Sequence, residues 1–306
     1  MDSGSAVGPL NPAPLQRLSD GGRAHWHAAH AMARGLRIPG ALAYFAAWLK
    51  PWQPIFRAPA ASGLTFYAHR RDVIGRHIAK YGAHEPLLTR WIAERLATSR
   101  SGLFVDAGAN IGWHAINAAR SPNVETVVAF EPDPFNAWLL DRNLSANGID
   151  KAVVVAAALG SNRGTVRLHR YKASNFGRHS AIAGEAHGSS ATVPLLDLDG
   201  ALQDLGLAEK PVSILKIDVE GYEPAVLAGA SQTLARTDAI VLEYTPAVSR
   251  AGGLSVEDML AKLERAGFAP FALKDDGSLE TLDVIALIGA EEQRDLIWIR
   301  RKAAGK

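Results

Sequence analysis

The chain has 306 residues, with 33 basic and 31 acidic side chains, a net charge of +2 and no cysteine. That length fits one large α/β domain with an N-terminal extension better than two equal domains. The missing cysteines exclude disulfides and thiolate metal sites, and the balanced charge argues against a surface that coats nucleic acid.

Residues 1–22 are rich in Gly, Pro and Ser and lack the basic-then-apolar order of a signal peptide, so a disordered tail is expected there. No apolar run is long enough to span a bilayer, and with no cysteine this points to a cytoplasmic address. Residues 23–62 read as a helical N-terminal extension, rich in Ala, carrying Trp26, Trp48 and Trp52 and broken by Pro39, Pro51 and Pro54. Its aromatics are expected to cover an edge of the core; a lid, a homodimer surface and an interfacial membrane helix are weaker readings. His25, His27 and His30 are spaced to converge on one helix face, but no acid in that segment completes a metal-ligand set. The main domain is expected over 63–306.

Leu64 to Arg71 reads as a strand or hairpin arm, and Asp72 to Leu96 as helix broken near Gly82. Glu85 opens the second helical part. It is either an N-terminal acid favoured by the helix dipole or a contact to a ligand from beneath the following loop. His84 beside it reads as structural or surface.

The pattern then sharpens. Leu103 to Val105 is a short buried-strand run ending in Asp106, Gly108, Asn110 and Gly112, and a helical pattern follows at once. Glycines there permit a sharp turn and close approach to a ligand, and the next helix turns its free N–H groups toward it. Thr126 to Pro134 is a second strand run ending in Glu131, placed to accept hydrogen bonds from ribose hydroxyls. A helix over Phe135 to Asn147 stops at Gly148. Val153 to Gly160 reads as the next strand, Thr165 to His169 as an antiparallel arm, and Tyr171 to Ser190 as a long polar loop that includes Lys172, Arg178 and His179. Fourth and fifth strands end in Asp218 and Glu243, and Phe268 to Leu273 with Asp295 to Arg301 form a closing pair. The whole reads as a Rossmann-like sheet of seven mostly parallel strands, flanked by helices, with its ligand crevice at the strand carboxyl ends.

Four acids on one rim, Asp106, Glu131, Asp218 and Glu243, are poorly explained by packing, because buried like charges repel and lose hydration. Alternation puts Lys216, Asp218 and Glu220 on one side while the chain stays extended. The turn DAGANIG is not GxGxxG and has no GK[ST], so a nucleoside with an amino-acid tail fits better than a dinucleotide or a triphosphate.

In the stretches FVDAGANIGWHA, VVAFEPDPFNAWLLDRNLSAN, VVAAALG, ILKIDVEGYEPAVLAGA and IVLEY, the chain resembles the FkbM-type family of S-adenosylmethionine-dependent methyltransferases. The resemblance implies S-adenosyl-L-methionine as cofactor, with Asp106, Gly108, Asn110 and Gly112 around its methionine portion and Glu131 on its ribose. It also implies that Asn143 and the stretch from Ala157 to Leu159, with Ala158 at its centre, border the adenine. It further implies transfer to a hydroxyl of a sugar, glycan or other natural product. The proton of that hydroxyl would go to Asp218 or Glu220, with Glu243 and then His179 behind them. A divalent metal held by Asp218, Glu220 and Glu243 is the less favoured alternative. The rival functions are an NAD-dependent oxidoreductase, which the absent GxGxxG opposes, and an inactive binding module, which the complete acid rim opposes. Nucleic acid is not an expected partner, since no basic stripe with interleaved aromatics is present.

Overall fold

The computed structural model describes residues 54–171, 179–182 and 187–301. The expected tail, nearly all of the extension with its histidines and tryptophans, and parts of the polar loop, including Lys172 and Arg178, lie outside the described residues.

The described chain opens with an antiparallel hairpin, β1 (Ile55–Pro59) and β2 (Thr65–His69). The last residues of the stretch read as helical extension are thus a strand, and the boundary at 63 falls inside a hairpin. Helix α1 (Val73–Tyr81) starts where Asp72 accepts a hydrogen bond from the Gly75 N–H and stops at Gly82, whose φ is 76°. Helix α2 (Pro86–Thr98) follows and leads into β3 (Gly102–Ala107), α3 (Trp113–Ala119), β4 (Val124–Phe130), α4 (Pro134–Ala146) and β5 (Ala152–Val155). Pro134 sits in the first turn of α4, where its missing N–H costs nothing, and Asp133 caps that turn.

Among the described residues four strands form a second sheet, namely β6 (Ala158–Gly160), β7 (Gly164–Tyr171), β8 (His179–Ser180) and β9 (His187–Asp197), in the order β6-β9-β7-β8. The run expected as one strand from Val153 to Gly160 is therefore two strands in two sheets, β5 and β6. The arm expected at Thr165 to His169 lies within β7, antiparallel to β9. Part of the expected loop is strand as well, since β8 and the start of β9 fall within 171–190.

After α5 (Leu198–Asp204) come β10 (Val212–Ile217), α6 (Glu223–Ala228), α7 (Ser231–Ala235) and β11 (Thr237–Tyr244). The chain ends in α8 (Pro246–Ala251), α9 (Val256–Arg265), β12 (Phe268–Leu273), β13 (Leu279–Thr281), α10 (Val284–Ile288) and β14 (Arg294–Arg300). The main sheet runs β13-β12-β14-β11-β10-β3-β4-β5. Strands β11, β10, β3, β4 and β5 are parallel, while β14, β12 and β13 pair antiparallel with their neighbours. The α/β architecture and the closing pair are as expected, but the sheet is mixed and, among the described residues, has eight strands rather than seven. The extra strand, β13, is a three-residue edge strand.

Alternation along the strands decides which side chains meet the site. Leu103, Val105, Leu215, Ile217, Ile240 and Leu242 pack with the helices of one face, including α6 and α9. Phe104, Val127, Ala129, Ile214, Ala239 and Val241 pack on the other, with α2, α3, α4 and the β1–β2 hairpin. Asp106, Glu131, Lys216 and Glu243 continue that second parity, so at the sheet's carboxyl rim they emerge on one side.

Candidate active site

One crevice gathers the rim. It is lined by Glu85, Gly108, Ala109, Asn110, Glu131, Ala158, His179, Asp218, Glu220 and Glu243, together with His84, Trp113, His114, Lys216 and Tyr222. Of the twelve expected site residues, nine line it. Asp106 lies behind it, while Gly112 and Asn143 do not reach it.

The floor is the turn after β3. Gly108 has φ 84°, and a Cβ there would come within 1.8 Å of the Asp218 carbonyl oxygen, so only glycine lets the β3 and β10 ends close together. The N–H groups of Gly108 and Ala109 donate to the Phe130 carbonyl, and that of Asp218 donates to the Ala107 carbonyl. Gly112 has φ 91° and opens α3, but its missing side chain makes room for Leu140, so it serves packing. Asn143 is wholly buried. Its Oδ1 accepts from the Tyr67 N–H at 2.6 Å, and its amide donates to the Tyr67 and Ile111 carbonyls at 3.1 and 2.8 Å. That amide ties the hairpin to the glycine turn, and Asn143 does not line the crevice.

Glu131 is 5% exposed and follows β4. Its Oε2 accepts from the Asn110 N–H at 2.8 Å and its Oε1 from the Asp133 N–H at 2.9 Å, so its orientation is fixed by main chain on both sides. Burial, the largest effect, pushes the carboxyl up to about 8, against the lowering pull of those two donors. Asn110 reaches this geometry with a left-handed backbone, φ 50°. Asp133, next along, receives Arg170 Nε at 2.7 Å and lies 3.7 Å from His179 Nε2, binding the small sheet to the main one. His179 therefore stands at the crevice wall beside Asp133.

Glu85 also has positive φ, 42°, and no capping hydrogen bond from its side chain. It turns to His114 Nε2 at 2.8 Å and His84 Nε2 at 3.4 Å. Burial would raise its pKa, but His84, His114 and Lys216 outweigh burial and hold it below the usual carboxylate range. His84, read as structural or surface, lines the crevice, and burial lowers its pKa. His114 was not singled out in the sequence. Its signal was its place in the first turn of the helix after the glycine turn, where side chains face the crevice.

The far wall is acidic. Lys216 Nζ lies 3.1 Å from Asp218 Oδ2 and 3.4 Å from Asp106 Oδ1. Glu220 has φ 53°, and its carbonyl accepts from the Ser180 hydroxyl at 2.8 Å, so β8 anchors this loop. The left-handed step ends the strand alternation at Glu220, yet the residue stays on the crevice. Burial first, then Asp218 and Glu220, raise the Glu243 carboxyl well above its ordinary value. Behind the loop Glu223 is 1% exposed, accepts from the Gly221 N–H and the Thr245 hydroxyl, and is pushed by burial up to about 7. Asp218, Glu220 and Glu243 each offer an oxygen within 4.8 Å of the others, a spacing that could hold a hard cation.

An open sheet with its crevice at the strand carboxyl ends, a glycine turn on the first central strand and an acid after the second defines the class: a Rossmann-like α/β domain. The chain belongs to the FkbM methyltransferase family, since the model of the methyltransferase FkbM domain matches residues 106–270. Membership implies S-adenosylmethionine as cofactor. The chain is 30% identical over 138 residues to the hexuronic acid methyltransferase AglP of Haloferax volcanii, covering 45% of this chain and 54% of that protein. It is 30% identical over 155 residues to the methyltransferase sdnD of Sordaria araneosa, covering 42% of this chain and 60% of that one. The matched part is thus about half to three fifths of the length of these relatives. A crystal structure of a methyltransferase FkbM from Methylobacillus flagellatus KT matches with a TM-score of 0.39 and 18% identity, over 65% of this chain and 43% of that one. Among the described residues no helix is long and apolar enough to cross a membrane.

Proposed function

We propose that the protein transfers a methyl group from S-adenosylmethionine to a hydroxyl of a sugar or related polyhydroxylated small molecule. The observation that carries this reading is the pairing of a closely approached glycine turn with Glu131, a buried carboxylate aimed into the same crevice. Similarity to a protein named for hexuronic acid supports a sugar acceptor.

The residues present fit the donor. Asp106 is 1% exposed and neither of its oxygens accepts a hydrogen bond among the described residues, so it can answer a cationic amino-acid tail through the glycine turn. Glu131 would hold the ribose hydroxyls, and Ala157, Ala158 and Leu159 would give the base an apolar wall. Glu85, beside His114, would close the crevice near the turn. When bound, the donor supplies a methyl group already activated on a sulfonium, so the chain has mainly to align the acceptor and exclude water. Such alignment contributes up to ~7–11 kcal/mol in well-organised intramolecular reactions.

As its oxygen bonds to carbon, the acceptor hydroxyl must lose a proton. Asp218, a third exposed at the mouth of the crevice, would take it, with Glu220 next to it and Glu243 behind. A divalent cation on these three acids is the second reading, and Lys216 counts against it by already standing 3.1 Å from Asp218. The test is methyl transfer from labelled donor to a panel of uronic acids and neutral glycosides, with and without chelator. Turnover unchanged by chelator and lost in Asp218→Asn, with donor binding retained, is expected. Turnover equal in Asp218→Asn and the parent chain would remove the assigned base.

A further inference from the structure

We propose that Lys216 is a positioning residue, a single buried ammonium shared by Asp106 at the donor end and Asp218 at the acceptor end, which holds both carboxylates in their working orientations. The inference rests on the donor reading above.

Strand pairing creates the contact. Lys216 on β10 is the register partner of Asp106 on β3, and both side chains leave the sheet on the same face. Lys216 is 4% exposed and Asp106 1%, whereas the side chain of Asp218 is 33% exposed. One ammonium therefore joins a sealed carboxylate to an open one. Since neither oxygen of Asp106 accepts a hydrogen bond among the described residues, Lys216 at 3.4 Å is the cation that offsets its loss of hydration. The pair is a poor device for stability alone, because a buried ion pair generally does no better than apolar side chains of the same volume. Its neighbours on β10, Ile214, Leu215 and Ile217, show that apolar packing is available at this depth. Burial works against the ammonium, yet Asp218, Asp106 and Glu85 together favour it and hold its pKa above that of an ordinary lysine. Without it, Asp106 becomes an uncompensated buried charge, and Asp218 loses the contact that fixes its Oδ2.

The absence of native cysteine permits a test that separates charge from packing. Lys216→Cys is alkylated while unfolded, either with 2-bromoethylamine, which restores an ammonium at nearly the original reach, or with 1-bromopropane, which restores the shape without charge. Each refolded protein is titrated calorimetrically with S-adenosylhomocysteine. The aminoethyl form is expected to bind as the parent chain does, and the propyl form roughly tenfold or more weakly, the scale for removing one partner of a buried charge pair. Equal affinity of the two forms overturns the inference, whatever their melting temperatures. If the parent chain binds no S-adenosylhomocysteine, the donor reading fails and the inference with it. Should neither alkylated form refold, the same titration on Lys216→Met, Asp106→Asn and the double variant decides. A lysine acting through Asp106 predicts that the double variant binds no more weakly than Asp106→Asn, and additive losses overturn it.

Discussion

At Glu131 two opposing influences meet on one carboxyl. Burial raises it to about 8 while the Asn110 and Asp133 N–H groups favour its ionised form. Its folded value lies above its unfolded value near 4.5, so its contribution to stability is full below 4.5 and is lost as pH rises through about 8. A ligand whose hydroxyls donate to Glu131 shifts the balance toward the carboxylate. Binding of S-adenosylhomocysteine at pH 7 is therefore expected to release about one proton, and affinity to rise with pH until about 8. Calorimetry in buffers of different ionisation enthalpy reads this directly. Glu131→Gln should bind about 1–3 kcal/mol more weakly and release none. Release that persists in that variant would mean another group titrates. The rim acids were legible in the sequence because each ends a run of apolar residues, a local signal. The contacts of His114 and Asn143 were not, because their partners, Glu85 and Tyr67, lie 29 and 76 residues away and only the folded chain brings them together.

Two glycines with left-handed backbones, Gly108 after β3 and Gly148 after α4, differ in what they make possible. Gly108 admits the β10 end, where an added methyl would meet backbone at 1.8 Å, whereas Gly148 has φ 65° and open space around it. Gly108→Ala should cost about 1–3 kcal/mol in overpacking, in addition to about 1–2 kcal/mol for its left-handed backbone. Gly148→Ala should cost the backbone share alone. Urea unfolding midpoints compare them, and equal losses would show that the β3–β10 approach is not tight. Elements of strong periodicity, such as α4 and the central strands, could be read from sequence with small boundary errors. The split of 153–160 between two sheets could not, because one apolar run carries no mark of where the chain changes partner. The left-handed steps at Glu85, Asn110 and Glu220 were equally hidden, since the residue types there do not demand them.

Across the whole molecule, the sheet's alternation sorts the chain into two packed faces and leaves its charged side chains at the carboxyl rim on one of them. That order was legible in outline, as an open α/β sheet with a crevice at the strand ends. The eighth strand, β13, and the short strands β6 and β8 of the second sheet were less so, because short edge strands are specified by their partners more than by their own residues. The small sheet packs Leu168 beside Ala158 and Tyr222, and ties itself to the main sheet through Arg170 and Asp133. It thus forms a wall of the crevice. The most direct test of donor placement is a crystal structure with S-adenosylhomocysteine bound. The ribose hydroxyls should lie within hydrogen-bond distance of Glu131, and the amino-acid end should lie over the Gly108 to Asn110 turn. An occupied site elsewhere, or a crevice left empty at saturating ligand, would contradict it.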